Sequence, residues 1–264
     1  MTASPAPAGP PQLLDAALRR DPARPLITFY DDATDERTEL SVTTFANWVA
    51  KTANLLRDDL GLEPGATAAL DLPAHWQAAV WLQACWALGL HVVPAGSVAD
   101  LTVLAYGGAA PAGSGEVVAL GLGPMGLPRR DAGPPAGTTV DYDREVHGHG
   151  DRFVPVGRPD PAAPALTTAD GVMTGADLGA AAEAGPALPD GSRLLVTEPL
   201  TTLPAALVAL LVPLATAVTA VLCRHLDLSR LPSRVEQERL VAAVGPDTPG
   251  LPAWAPGGSG GPSR

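Results

Sequence analysis

Proline and glycine set the tightest limit on what this chain can fold into. There are 29 Pro and 28 Gly in 264 residues, so about a fifth of the positions disfavour the interior of a regular helix or strand. The core must be shared among short elements joined by much irregular chain. Hydrophobic residues make up 46% of the sequence. That excludes a wholly disordered polymer and suffices, at this length, to bury a core without disulfides or metal staples. Seventeen basic against 28 acidic residues leave a formal charge of −11. Such a chain repels a phosphate backbone and an anionic bilayer, so neither nucleic acid nor a membrane is an expected partner. Lys51 is the only lysine, and any chemistry that needs one must use it.

Within these limits the apolar pattern predicts an α/β chain, a mostly parallel sheet flanked by helices. Leu13, Leu14, Ala17 and Leu18 share one helical face, stopped by Asp21-Pro22. Pro25 to Tyr30 and Arg37 to Leu40 read as a hairpin, and Ser41 as the N-cap of a helix carrying Phe45, Trp48, Val49, Thr52 and Leu56, with Gly61 as its stop. Thr67 to Leu72, Trp76 to Leu88 and His91 to Val93 then form a strand, helix, strand unit, which implies parallel pairing and a right-handed crossover. Short strands follow at Leu101 to Tyr106 and Glu116 to Leu120; residues 121–164 give weak signals only. From Leu166 the rhythm returns, with a helix at Ala176 to Ala184, a strand at Arg193 to Thr197, a helix at Pro204 to Leu211, a strand at Ala217 to Leu222 and a last helix at Val235 to Val244. One domain, 11–245, is expected between a disordered start, 1–10, and a disordered tail, 246–264.

No signal or transit peptide is visible at the amino terminus, which makes the cytoplasm the default compartment. Cys85 and Cys223 are isolated and lie in apolar runs, so both read as small buried hydrophobes. Pro199 to Cys223 has no charge and is long enough to cross a bilayer. Pro204 and Pro213 interrupt it, and from Ala217 its period becomes strand-like, so a buried helix followed by a buried strand is preferred over a membrane anchor.

Several patterns imitate chemistry. Gly121-Leu122-Gly123-Pro124-Met125-Gly126 matches G-x-G-x-x-G, but the sequence beyond it, into Gly133-Pro134-Pro135, cannot continue the helix that a dinucleotide site needs. Gly257 to Gly261 matches G-x-S-x-G without the strand and helix of a nucleophile elbow. His147 and His149 lack further ligands and read as a solvated pair on a mobile loop. His75 and His91 read as structural histidines, and Asp141, Asp143 and Glu145 as an exposed acidic face. No catalytic residue and no metal ligand is nominated.

The order of elements from Pro25 to Val93 resembles the start of the AMP-forming acyl-CoA synthetase superfamily. Glu39 to Phe45 is similar to its L-T-Y-x-E-L segment, Gly61 to Pro73 to its G-x-x-x-G-D-x-V-A-L-x-L-P strand, and Leu88 to Pro94 to its A-G-x-x-x-V-P strand. Further on, the family holds the ATP phosphates in a T-S-G-T-T-G-x-P-K-G loop. Here Ala165 to Thr168 resembles the entry to that loop and Thr174 to Leu178 the exit, with only Ala169-Asp170-Gly171-Val172-Met173 between them. The resemblance continues through Asp190 to Leu195, Pro199 to Thr202, with Thr202 at the usual histidine position, and Val235 to Arg239. It implies a truncated, degenerate relative, of a kind expected among short actinobacterial synthetase-like proteins. Thr167, Thr168, Asp170, Gly171, Thr174 and Gly175 are the remnant of its phosphate loop.

Adenylation sets a carboxylate against a phosphate and needs backbone donors, a metal and a lysine to offset the charge. In this sequence Asp170 adds negative charge at the remnant and Lys51 is far away in the chain. The expectation is a non-catalytic binding or interaction module with no cofactor, acting as a homo-oligomer or with a protein partner. The alternatives are a residual ligase that still binds AMP, ATP or CoA, and a protein anchored in a membrane through residues 199–223.

Overall fold

The computed structural model describes residues 8–129, 132–185, 188–246 and 248–254. The serine motif of the tail, Gly257 to Gly261, and the ends at 1–7 and 255–264 lie outside the described residues.

Helix α1, Pro10–Arg20, starts on its own proline, which fixes a helical φ where no amide partner is required. Strands β1, Pro25–Asp31, and β2, Glu36–Ser41, form the expected antiparallel hairpin. The Ser41 side chain accepts the Thr44 amide and opens α2, Val42–Asn54, which runs on through a wide π turn, Leu55–Asp59. Strand β3, Thr67–Asp71, helix α3, Trp76–Leu88, and strand β4, His91–Val93, form the crossover unit, with β3 and β4 parallel. Strands β5, Leu101–Ala105, β6, Glu116–Leu120, and β7, Val140–Asp141, lead to a short helix α4, Tyr142–Glu145. A hairpin of β8, Pro164–Thr168, and β9, Gly171–Thr174, precedes α5, Gly175–Glu183. The chain continues with β10, Arg193–Val196; a helix built from α6, Leu203–Ala206, a π turn, Leu207–Leu211, and α7, Val212–Ala215; then β11, Thr219–Arg224; α8, Leu231–Glu238; and β12, Leu240–Val244.

Two sheets result. One has the order β12-β10-β11-β1-β2 and the other β7-β6-β5-β3-β4-β8-β9; each is parallel except at its hairpin. Helix α3 touches β1 of the first sheet and β3 and β4 of the second, so it is buried on nearly every face. This explains a helix that is apolar all round. Trp76 and Trp81 are among the largest fully buried side chains there. In the first sheet Leu194, Ala220 and Leu222 face the main core, whereas Leu195, Val221 and Cys223 alternate to the face covered by α8.

The uncharged run from Pro199 folds as a buried helix and a buried strand, and among the described residues no helix is long and apolar enough to cross a membrane. Two expectations need correction. Val235 to Val244 is not one helix: Arg239 takes a left-handed conformation (φ 53°) that ends α8, and Leu240 to Val244 becomes an edge strand. The chain beyond 246 is also not structureless throughout. Ala253 bridges Ala243 and Trp254 is buried beside β12.

Candidate functional site

The loop remnant is a tight turn. Thr168 and Gly171 face one another across the β8 and β9 hairpin, and Asp170, at the tip, is exposed with its amide directed at Thr168 Oγ1 (3.3 Å). At the start of α5 the Thr174 amide and hydroxyl donate to Asp177 Oδ2 at 2.9 and 2.7 Å, and the Asp177 amide donates to Thr174 Oγ1. Those hydrogen bonds from Thr174 hold the Asp177 carboxyl below its ordinary range. The Gly175 and Ala176 amides donate to Ala163 and Pro161 carbonyls. A helix N-terminus attracts an anion through its free amides; here the chain's own side chains and carbonyls take those amides, and a carboxylate already stands there. Thr167 Oγ1 pairs with His91 Nε2 at 2.7 Å. Gly175 borders a cleft of about 220 Å³ beside Trp86, Leu90 and Pro161.

Lys51 is engaged elsewhere: its Nζ donates to the His149 carbonyl (2.7 Å) and meets Asp151 at 2.8 Å. His147 is exposed, but its ring packs edge-on against Trp48, with Nε2 3.3 Å from the Gly126 carbonyl. His149 is not simply solvated either, since its Nε2 lies 3.0 Å from Asp59 Oδ2. Among the described residues no group of three or more His, Cys, Asp or Glu could hold a metal. The G-x-G-x-x-G segment forms a single 3-10 turn, Pro124–Gly126, after β6.

The acidic run departs most from expectation. Glu145 is exposed, but Asp143 is fully buried and Asp141 nearly so. The Tyr106 hydroxyl donates to Asp141 Oδ1 at 2.6 Å, and the Gly121 amide donates to Asp143 Oδ2 at 2.8 Å. Burial pushes the Asp143 carboxyl up to about 6, with the Gly121 amide opposing. The Gln77 carboxamide is near enough to favour the carboxylate but closes no hydrogen bond of good geometry. Among the described residues, Asp143 Oδ1 has no hydrogen-bond partner, nor do Gln77 Nε2 and Oε1, Trp76 Nε1 or His75 Nε2. His75 caps α3 by accepting the Gln77 amide at Nδ1 (3.1 Å), and burial lowers its pKa to about 3, so the neutral ring carries its proton on Nε2. Gly121 to Arg129 crosses this group: a Cβ on Gly121 would lie 2.6 Å from Asp143 Oδ2, and one on Gly126 2.7 Å from the Trp48 ring. The cluster stands past the carboxyl ends of β3, β5 and β6, where crevices form in α/β sheets. Sequence reasoning missed it because Asp143 looks like its exposed neighbours until the 121–129 segment is laid over it.

No family model matches the chain. A "TIGR03089 family protein" of Mycobacterium tuberculosis (strain ATCC 25618 / H37Rv) is 45% identical over 157 residues, 56% of this chain and 63% of that protein. Mycobacterium tuberculosis fatty acyl CoA synthetase superposes with a TM-score of 0.70 at 14% identity, covering 89% of this chain and 48% of that one. The N-terminal domain of FACL13 from Mycobacterium tuberculosis gives 0.69 at 14%, over 89% and 62%. The Klebsiella oxytoca NpsA N-terminal subdomain, solved with 3-hydroxyanthranilyl-AMSN, gives 0.66 at 15%, over 92% and 62%. The chain therefore spans less than two thirds of the length of each of these relatives, and its fold is that of the N-terminal part of an acyl-CoA synthetase.

Proposed function

We propose, from the fold it shares with the N-terminal domains of acyl-CoA synthetases, that this chain is a non-catalytic, synthetase-like binding or interaction module working in the cytoplasm. The observation that supports this reading is the β8 and β9 turn: where the resemblance places a phosphate loop, four residues close a hairpin around Asp170, and the amides of α5 are already taken. Clustered phosphates need donors and positive charge; this turn offers a carboxylate, and the one lysine is bound to Asp151.

A homo-oligomer or a protein partner is part of the same proposal. Val154 and Val156 are 59% and 99% exposed beside a groove of about 440 Å³ between α1, α2, α3 and residues 151–159. These two valines beside the groove are where we place the contact, since contiguous exposed apolar surface favours association.

ATP–pyrophosphate exchange across a panel of carboxylates tests the catalytic half. No exchange above background is expected; exchange that persists in protein from a ligase-deficient host overturns it. Thermal shift with ATP, AMP, CoA and acyl-CoA tests residual ligand binding, because a ligand at 100 times its Kd stabilises by about 2.7 kcal/mol.

A further inference from the structure

Residues 149–154 form no helix or strand, yet their backbone is fixed. Lys51, Asn54 and Arg57, spaced along α2 and its π turn, donate to the carbonyls of His149, Gly150, Arg152 and Val154 at 2.7–3.0 Å. The Arg57 guanidinium also lies 5.0 Å over the Phe153 ring. Side chains left outside that clasp, Arg152 and Val154 among them, are exposed at set positions. A surface ordered beforehand loses less freedom when it binds.

This segment borders the groove of about 440 Å³ that α1, α2 and α3 also line, and the charges around that groove are sorted by element. Asp15 stands on α1, Arg152 and Arg158 on the clasped segment. All three are exposed, and among the described residues no hydrogen bond or ion pair engages their side chains. The remaining charge, Asp151, is already paired with Lys51 at 2.8 Å. Acid and base thus border one groove, with Leu14, Val49 and Phe153 in its apolar lining, without meeting each other. We infer that the occupant is a second copy of this chain, held by an isologous interface in which Asp15 of each copy meets Arg152 and Arg158 of the other. A two-fold axis sets residue i against j and j against i, so one patch with both charges complements itself. Charge also restricts the contact to such a place: at −11, two copies repel one another overall, and association needs a local exchange of opposite charges. Gln83, which lines the groove, donates through Nε2 to the Pro10 carbonyl (3.0 Å), while its buried Oε1 has no partner among the described residues. An occupant that brings N–H donors suits that acceptor, and an acyl chain does not. The inference rests on the association part of the proposed function and names its partner.

Sedimentation equilibrium at concentrations up to about 100 μM is expected to show a dimer of the wild-type chain. Asp15→Arg alone sets base against base across the axis, and Arg152→Asp with Arg158→Asp sets acid against acid. Each variant should weaken the dimer at least about tenfold. Mixed in equal amounts, the two variants again offer every acid a base at both contacts. A heterodimer of nearly wild-type affinity should then form, identified in native mass spectra by the different masses of its halves. The replaced side chains are exposed and unpaired, so the fold does not depend on them. A wild-type monomer at every concentration, variants that dimerise as the wild type does, or a mixture no tighter than either variant alone would each overturn the inference. None of these results bears on catalysis, and a monomer still leaves a different protein as the partner; the non-catalytic reading falls instead to ATP–pyrophosphate exchange.

Discussion

Asp143 is a residue the fold tolerates at a cost. Its folded pKa, about 6, lies above that of an unfolded carboxyl. The folded chain therefore binds the extra proton between roughly pH 4 and pH 6, and stability falls as pH rises through that window. Asp143→Asn removes the titration, and its amide can donate toward the idle Gln77 Oε1. We expect it to stabilise the protein by about 1–3 kcal/mol at pH 7.5, with little difference near pH 4, as measured by urea unfolding. Arg234 has the opposite character. Its guanidinium meets Asp32 at 2.5 and 3.0 Å, lies 4.3 Å over the Tyr30 ring and is almost fully buried. Arg234→Ala strands a buried carboxylate and should cost about 3–5 kcal/mol by the same assay. Neither role is written at the residue: Asp143 owes its burial to a glycine 22 positions away, and Arg234 its partner to a turn 202 positions away.

Short elements were legible where one signal was enough. The β3, α3, β4 unit showed itself because its apolar runs have strand and helix lengths and Pro73, Gly89 and Pro94 punctuate them. The break at Arg239 was hidden, since a left-handed residue usually announces itself as glycine or asparagine. Behind that break, β12 would present a bare edge, but Ala243 donates to the Pro252 carbonyl and Trp254 donates back to the Ala243 carbonyl at 2.9 and 2.8 Å. A seven-residue stretch thus covers the edge that parallel pairing leaves open. Trp254→Ala should cost about 3 kcal/mol. Deleting residues 248–264 should add concentration-dependent aggregation, followed by light scattering; a deletion that stays monodisperse would show that β12 needs no cover.

For the whole molecule, the α/β class and the resemblance were readable because they rest on the order of elements, which survives substitution at most positions. The surface was not, because exposure depends on which loops meet. Val154 and Val156 are exposed apolar side chains in the segment beside the groove between α1, α2 and α3. If the groove at 151–159 is where association occurs, Val156→Asp should shift the weight-average mass toward the monomer in sedimentation runs across a hundredfold concentration range. An Asp at Val98, exposed elsewhere, should leave it unchanged.

Lys51 also changes how the protein can be handled and marked. With no other lysine in the sequence, every acylation of a lysine side chain, by a reagent or by an activated thioester, falls on one nitrogen. That nitrogen is already spoken for by Asp151 and the His149 carbonyl. A single acetyl group on its Nζ would neutralise the clasp that joins α2 to the 149–151 turn, so acetylation mapped to Lys51 by peptide mass would report one defined loosening of the chain.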